Sequence, residues 1–280
     1  MYGSIIGDIC GSIYEWNNHV TDRPHEIELI NQKCYYTDDT ILTLAIANAV
    51  LSNYHYQDSL LIWTKKYPNC GYGGKFRNWF NQNSPKPYNS YGNGSAMRVG
   101  SIGWCFDTLE ETLTEARKSA QITHNHKEGM KGAMAIASAI YLARNGKTKN
   151  EIKEYIEGEF KYKLGKDLSK LRKTYRFGGK LNTCQGTVPE AIMAFLESTD
   201  FENSIQIAIS LGGDSDTLAC ITGSIAEAFY KNIPLPFIDF VNSKLEDDMK
   251  ELLRKFYEKY LKNYDLEYYT FKKNQLDMYI

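Results

Sequence analysis

Two short acidic motifs are the strongest sign of chemistry in this 280-residue chain. The first is Thr37-Asp38-Asp39-Thr40 and the second is Gly212-Gly213-Asp214-Ser215-Asp216-Thr217, and each stands just before an apolar stretch that predicts a helix. Capping of a helix N-terminus is one interpretation of either motif, because Thr and Asp satisfy free backbone amides there. Capping one helix needs a single such side chain, but each motif carries two carboxylates. If the motifs meet in the fold, their four carboxylates require cations to neutralise them.

The donor atoms indicate which cations fit. Oxygen donors without Cys or His beside them favour Mg²⁺, Mn²⁺ or Ca²⁺ over Zn²⁺. The ligand spacing of an EF-hand is missing, which argues against a dedicated calcium loop. Near the N-terminus, Asp8 and Glu15 stand seven residues apart in an apolar segment, a spacing that places them on one face of a helix. A buried carboxylate there needs partners, either a metal or the hydroxyl groups of a ligand.

A glycine-rich segment, Ser90-Tyr91-Gly92-Asn93-Gly94-Ser95-Ala96-Met97-Arg98, runs from a loop into a predicted helix. Backbone amides at a helix N-terminus suit phosphate groups, although a plain glycine turn explains the same pattern. The lysine of a P-loop and the spacing of a dinucleotide fingerprint are both absent, which disfavours the common nucleoside triphosphate and nicotinamide enzymes. His124 lies between two predicted helices, where it would either contact a ligand or cap a carbonyl group. His124 and His126, without neighbouring cysteines, do not predict a zinc site.

Apolar residues recur mostly at intervals of three and four, and runs that alternate apolar with polar residues are scarce. Helices must therefore position these motifs. The pattern predicts an all-α fold with helices over residues 3–15, 39–52, 58–66, 95–106, 109–121, 127–144, 149–158, 189–197, 202–210, 216–231 and 237–262. The helix over residues 127–144 is rich in small side chains and is expected to be central. Without repeats or linkers, we expect one compact domain over residues 1–280. Residues 161–184 read as a surface excursion or a lid of no assigned role.

Composition narrows the class of protein. The 33 Lys and Arg residues balance 34 Asp and Glu residues, so the net charge of -1 provides no basic field for nucleic acid or an anionic membrane. The six cysteines form no CxxC pair, and no apolar run approaches the roughly 20 residues that cross a bilayer. Residues 1–16 lack a basic start and carry Asp8 within their apolar stretch, unlike a secretory signal. We therefore expect a cytoplasmic protein with no membrane partner, and we take a monomer as the default.

Taken together and in their order along the chain, the motifs resemble the ADP-ribosylglycohydrolase family. The resemblance rests on Gly7-Asp8 with Glu15, on Thr123-His124, and on residues 37–40, 91–98, 188–192 and 211–217, and so extends over most of the chain. It implies an all-α fold with a centre of two Mg²⁺ ions, or Mn²⁺ ions, that hydrolyses an ADP-ribosyl bond. Residues 161–180 carry no family motif, so the resemblance predicts no contacts there.

The resemblance also implies roles for individual residues. Metal ligands would be the residues that match the two acidic motifs: Thr37, Asp38, Asp39, Asp214, Asp216 and Thr217. Substrate contacts would come from the first aspartate, the glycine-rich segment and the histidine: Asp8, Ser90, Tyr91, Gly92, Asn93, Gly94, Ser95, Met97 and His124. Glu15, Asp39 and Asp214 are the catalytic candidates, because one of these carboxylates would orient or deprotonate the attacking water.

The expected substrate is ADP-ribose joined to a protein side chain, to nucleic acid or through an ester, with nucleic acid a partner only when ADP-ribosylated. Two other functions compete with this one. A member of the same fold that binds ADP-ribose or is structural, without catalysis, is disfavoured because every acidic position of the motifs is present. A magnesium-dependent helical isoprenoid synthase expects a DDxxD string, and Asp38-Asp39-Thr40-Ile41-Leu42 lacks its last acid.

Overall fold

The computed structural model describes residues 1–175, 179–262 and 264. Within these residues the regular elements are helices, as the periodicity predicts, and the single β-bridge joins Gly92 to Thr183. The α-helices are α1 Tyr2–Gly11, α2 Asp38–Leu51, α3 Tyr56–Lys66, α4 Gly74–Phe80, α5 Gly94–Met97, α6 Ile102–Cys105, α7 Leu109–Gln121, α8 Lys127–Arg144, α9 Lys149–Phe160, α10 Leu168–Thr174, α11 Cys184–Glu197, α12 Phe201–Ser210, α13 Ser215–Tyr230, α14 Leu235–Lys244 and α15 Asp247–Phe256. Two 3-10 helices, Pro24–Glu26 and Gly179–Asn182, and a π-helix, Tyr257–Leu261, complete them.

Helix α13 lies at the centre of the molecule and is crossed by α1. The residues of α13 are buried from Ser215 through Ala228. Glycine allows the close crossing, because a β-carbon added to Gly7 would lie only 2.1 Å from the carbonyl oxygen of Ala219. The two backbones therefore touch, and the contact brings Asp8 of α1 within reach of Asp216 of α13.

Helix α8 is central as well, as its small side chains predict, and packs against α5, α6, α7, α9, α11 and α13. Its two sequence neighbours, α7 and α9, both begin with a complete capping box. Thr108 pairs with Glu111 in α7, and Thr148 pairs with Glu151 in α9. Since one N-cap typically contributes about 1 kcal/mol, these boxes define where the two helices begin. None of the helices in the described part of the chain is both long and apolar enough to span a membrane.

The predicted helix over residues 3–15 is too long. Helix α1 ends at Gly11, where an added β-carbon would lie 2.6 Å from the Asp216 Cα atom. The next residue, Ser12, accepts a hydrogen bond from the Tyr35 amide at 3.1 Å. Contacts with α13 and with the segment before α2 thus replace another helical turn. Glu15 consequently lies beyond the helix and does not share a helical face with Asp8.

The predicted helix over residues 95–106 is interrupted and forms α5 and α6. Arg98 lies at the break with its side chain fully buried, donating to the Ser119 carbonyl oxygen at 3.2 Å and to the Thr123 hydroxyl at 2.9 Å. The predicted helix over residues 237–262 likewise divides into α14, α15 and the π-helix. Helix α11 begins five residues earlier than residue 189 because Thr183 caps it, and it keeps Pro189 in its interior. Helices α4 and α10 were not predicted.

Candidate active site

The two acidic motifs meet at the floor of one cleft. Thr217 donates a hydrogen bond to Asp39 at 3.2 Å although 178 positions separate them in the sequence. The cleft has a volume of about 500 Å³. The six predicted metal ligands and the catalytic candidate Glu15 line this cleft: Glu15, Thr37, Asp38, Asp39, Asp214, Asp216 and Thr217. The structure therefore brings together the residues that the sequence analysis placed in one centre.

The carboxylates form two groups of three, and within each group oxygen atoms lie within 4.8 Å of one another. One group is Asp8, Asp39 and Asp216, and the other is Glu15, Asp214 and Asp216. Asp216 belongs to both groups and so connects them. Asp38 lines the same cleft but belongs to neither group.

Asp8 orients the start of α2. Its Oδ1 atom accepts a hydrogen bond from the Thr37 hydroxyl at 2.6 Å, and its Oδ2 atom accepts from the amides of Thr37 at 2.9 Å and Thr40 at 3.0 Å. The side chain is fully buried and does not line the cleft. Its position does not support the predicted substrate contact. Asp8 instead orients the residues of α2 that face the cleft.

Burial and mutual repulsion raise the pKa values of the clustered carboxyl groups. Burial, followed by Asp8 and Asp214, raises the pKa of Asp38 to about 8. The pKa values of Asp39 and Asp216 are also raised well above their usual range, first by burial and then by neighbouring aspartates. Burial, Asp214 and Asp8 raise the pKa of the half-buried Glu15 to about 7. An all-anionic cluster is therefore unfavourable without positive charge.

The cluster fits hard divalent cations. Asp39 Oδ1 is buried and has no hydrogen-bond partner among the residues that the structure describes. A buried carboxylate oxygen in this state costs free energy unless a cation or water contacts it. Every donor in the two three-residue groups is a carboxylate oxygen, the ligand type that Mg²⁺ and Mn²⁺ prefer. The residues present thus satisfy the chemistry of the predicted metal centre.

The glycine-rich segment forms a wall of the cleft beside the acidic floor. Most of its predicted contact residues, together with the histidine, line the cleft: Ser90, Gly92, Asn93, Gly94, Met97 and His124. Asn93 couples this wall to the floor, because its side-chain amide donates to Asp214 Oδ2 at 2.7 Å and to the Thr187 hydroxyl at 3.0 Å.

His124 lies against the glycines of this wall. Its Nδ1 atom is 2.7 Å from the Thr123 hydroxyl. A β-carbon added to Gly94 would lie 3.5 Å from His124 Nε2, and one added to Gly92 would lie 3.6 Å away, so side chains there would cover the ring. Burial and the nearby Arg98 cation lower the pKa of His124 well below its usual value. The imidazole is therefore neutral at physiological pH.

Besides Asp8, two further predicted contact residues do not line the cleft. Ser95 is fully buried and donates to the Gly129 carbonyl oxygen at 2.8 Å, so its position does not support a substrate contact. Tyr91 is 48% exposed and lies in a separate shallow depression with Thr183 and Gln185. A contact with Tyr91 stays a prediction for a ligand that extends beyond the cleft.

Sequence reasoning missed a second wall of the cleft. This wall comes from the loop before α4 and from the first residues of that helix: Asn69, Cys70, Gly71, Gly73, Gly74, Lys75 and Phe76. The available signal was Gly71-Tyr72-Gly73-Gly74, because three glycines in four residues before a helix mark a loop that allows close approach. Aromatic side chains at residues 16, 35 and 36 also line the cleft and were not predicted.

A comparison with models of protein families shows to which family the chain belongs. The model of the ADP-ribosylglycohydrolase family matches residues 1–265. The chain belongs to the ADP-ribosylglycohydrolase family. The match confirms the resemblance that the motifs indicated, and it covers the three segments that carry the clustered carboxylates.

Named ADP-ribosylglycohydrolase relatives resemble the chain over most of its length. ADP-ribosylhydrolase ARH3 of Xenopus tropicalis is 27% identical, over 92% of this chain and 94% of the relative. ARH3 of Homo sapiens is 28% identical, over 81% of this chain and 83% of the relative. ADP-ribosylarginine hydrolase Tri1 of Pseudomonas putida is 24% identical, over 82% and 69%. A solved structure described as an ADP-ribosylglycohydrolase-related protein complex shares the fold, with a TM-score of 0.67 at 22% identity over 92% of this chain and 95% of that one.

Proposed function

We propose that this chain hydrolyses the glycosidic bond between ADP-ribose and an acceptor, that it releases ADP-ribose, and that it uses two Mg²⁺ or Mn²⁺ ions. The observation that carries the proposal is the convergence of carboxylates from three distant segments on the floor of one cleft. The cleft volume of about 500 Å³ is within the usual range for small-molecule sites. Membership of the ADP-ribosylglycohydrolase family supports ADP-ribose as the occupant.

Four of the five carboxylates in the two groups line the cleft, from α2, from the start of α13 and from the segment after α1, and would hold the cations: Glu15, Asp39, Asp214 and Asp216. Thr37, Asp38 and Thr217 would provide further oxygen ligands from the same segments. When bound, the two cations supply Lewis acidity toward the ribose hydroxyl groups and the bond that breaks. Asp8 would act indirectly, through its hydrogen bonds to Thr37 and Thr40.

Glu15 is the side chain best suited to move a proton. Its pKa of about 7 lets the carboxyl group exchange a proton near neutral pH, and a bound cation would lower that pKa and favour the basic form. As the base, Glu15 would accept a proton from water while the water oxygen bonds to the anomeric carbon. The bond between the anomeric carbon and the acceptor breaks, its electron pair goes to the acceptor, and the acceptor takes up a proton from solvent water as it leaves. Carboxylates such as Asp214 would stabilise the oxocarbenium-like charge that develops.

The glycine-rich wall would bind the rest of the ligand. Gly92 and Gly94 leave room beside the neutral His124 ring, which can exchange hydrogen bonds with ribose without adding charge. Ser90 and Asn93 line the cleft next to these glycines and would contact the diphosphate. Tyr91 would contact the end of the ligand that reaches its separate depression.

A panel of defined ADP-ribosyl conjugates tests the proposal and identifies the acceptor. The name of Tri1 specifies arginine, whereas the name of ARH3 specifies no acceptor. Conjugates of arginine, serine, a nucleic-acid end and an acetyl ester would be incubated with the protein in Mg²⁺ or in EDTA, and free ADP-ribose would be measured. We expect release from at least one conjugate, only with Mg²⁺. Release that is insensitive to EDTA would contradict the metal centre, and binding of ADP-ribose without any hydrolysis would indicate a non-catalytic member of the family.

A further inference from the structure

Residues 161–175, which we call the strap, connect α9 to the region beside the acidic cluster and include α10. The strap is rich in basic residues, and the sequence analysis gave it no role. Three of its apolar or aromatic side chains are nevertheless buried, namely Tyr162, Leu164 and Tyr175. The strap therefore packs against the body of the molecule along its length.

The turn that precedes Asp214 consists of two glycines in an unusual conformation. Gly212 has a φ angle of 74° and Gly213 has a φ angle of 69°. Glycine adopts positive and negative φ angles about equally readily, so the local sequence does not hold this conformation. Asp214 follows directly and makes no side-chain capping bond to α13. Besides the hydrogen bond that Asp214 Oδ2 accepts from Asn93, the direction of its carboxylate depends on what holds the turn.

Two layers enclose the turn. On one side is the loop after α1, where Asn18 Oδ1 accepts a hydrogen bond from the Gly213 amide at 2.9 Å. On the other side is the ring of Tyr175. A β-carbon added to Gly213 would lie 2.7 Å from Tyr175 Cε1 and 3.0 Å from Cδ1, so the ring rests on the backbone of this glycine. Tyr175 is only 2% exposed, which shows that the contact is closed to solvent.

Polar contacts hold the strap in this place. Lys166 Nζ lies 2.5 Å from Oε1 of the buried Glu190. The Arg172 guanidinium donates to the Ser210 hydroxyl at 3.1 and 3.0 Å, and Ser210 is the last residue of α12, two positions before Gly212. Arg172 also lies 3.9 Å from Asp22 in the loop after α1. The strap is thus tied to both chain segments that border the turn.

We infer that Tyr175 is a positioning residue for Asp214: its ring holds the Gly212-Gly213 turn so that the Asp214 carboxylate joins the acidic cluster. The inference rests on the proposed function, because Asp214 is there a metal ligand. Tyr175 itself does not line the cleft. Without the Tyr175 ring, one face of the two-glycine turn would lose the side chain that packs against it.

Titration of the purified full-length protein with Mn²⁺ by calorimetry tests this role. Tyr175→Ala is expected to weaken Mn²⁺ binding by about tenfold, in the range found when an outer partner of a metal ligand is lost. Tyr175→Phe keeps the ring and removes only the hydroxyl, and it is expected to bind Mn²⁺ like the wild type. Excess Mn²⁺ is expected to restore the turnover that Tyr175→Ala loses at low Mn²⁺. If Tyr175→Ala does not fold, Tyr175→Leu, which is apolar but not planar, is expected to show the same weakening.

Tyr162→Ala is the matched control. Tyr162 lies on the same strap and is similarly buried, at 6% exposed, but it packs beneath Lys131, whose Nζ atom lies 4.4 Å from the ring centroid. We expect this variant to lower the melting temperature and to leave the affinity for Mn²⁺ unchanged. Equal weakening by Tyr162→Ala, or wild-type affinity in Tyr175→Ala, would overturn the inference. Absence of Mn²⁺ binding in the wild type would instead refute the metal centre of the proposed function, and the inference with it.

Discussion

The floor and the walls of the cleft are built on different parts of the fold. The floor carries its carboxylates at the crossing of α1, α2 and α13, where an added β-carbon at Gly7 or Gly11 would collide with the backbone of α13. The walls come from loops and from the first residues of the short helices that follow them, and a β-carbon added to Gly73 or Gly74 would meet nothing within 4 Å. The clustered carboxylates are thus carried by helices in tight contact, whereas the walls, which we propose to bind the ligand, include positions with free space around them.

The largest effect is expected from the floor. Asp216 belongs to both groups of carboxylates, so Asp216→Asn should reduce turnover about 1000-fold, which corresponds to a loss of roughly 4 kcal/mol of transition-state stabilisation by the metal centre. Asp58→Asn, an exposed substitution on α3, is the control and should leave turnover unchanged. The measurement is the rate of ADP-ribose release at saturating Mg²⁺. Undiminished release by Asp216→Asn would show that the floor is not the catalytic centre.

The next largest effect is expected at the crossing of α1 and α13, and it concerns the free energy of unfolding. Gly7→Val should lower the free energy of unfolding by about 3 kcal/mol or more, because its side chain has no space against the Ala219 carbonyl group. Gly158→Ala in α9 is the matched control, since an added β-carbon there meets nothing within 4 Å. It should raise stability by about 0.5 to 1 kcal/mol. Urea denaturation checks both values, and a Gly7→Val midpoint equal to that of the wild type would contradict the close crossing.

A smaller effect should appear as a pH dependence of the metal-free protein. The pKa values of Asp38, about 8, and Glu15, about 7, exceed their usual values of 3.8 and 4.5, so the folded chain binds protons more tightly than the unfolded chain. Stability contributed by these groups is therefore lost as pH rises through the folded pKa values. In EDTA we expect the melting temperature to fall between about pH 5 and pH 8, and saturating Mg²⁺ should remove most of that fall. An identical pH profile in EDTA and in Mg²⁺ would speak against cation binding at the cluster.

The smallest effect is expected from the wall. Gly94→Ala should weaken ADP-ribose binding by about fivefold, because one methyl group beside His124 costs roughly 1 kcal/mol of ligand contact. Its stability should stay near that of the wild type, since 3.5 Å from the added carbon to the imidazole is an ordinary contact. Gly165→Ala on the strap, where nothing lies within 4 Å, is the control. Calorimetric titration with ADP-ribose measures the difference, and a large loss of stability in Gly94→Ala would show that the wall is not separable from the core.

The helical class and much of the floor could be predicted from the sequence because their signals are local. Apolar periodicity and N-cap residues act over a few positions, and Thr108 and Thr148 begin their helices with the capping boxes that such patterns encode. The two acidic motifs were recognisable in the same way, as doubled acids where one cap would suffice. The composition of the neighbouring residues was enough to predict cations that prefer oxygen ligands.

What only the tertiary structure decided depends on contacts between residues far apart in the chain. The packing of Gly11 on α13 ends α1 and separates Glu15 from Asp8, and the hydrogen bonds of Asp8 direct it toward α2 rather than the cleft. Tyr175 contacts Gly213 although the strap that carries Tyr175 contains no recognisable motif. Short-range patterns indicate which residues begin a helix, but they carry no information about which distant segment will pack against that helix. This packing determines where each carboxylate points.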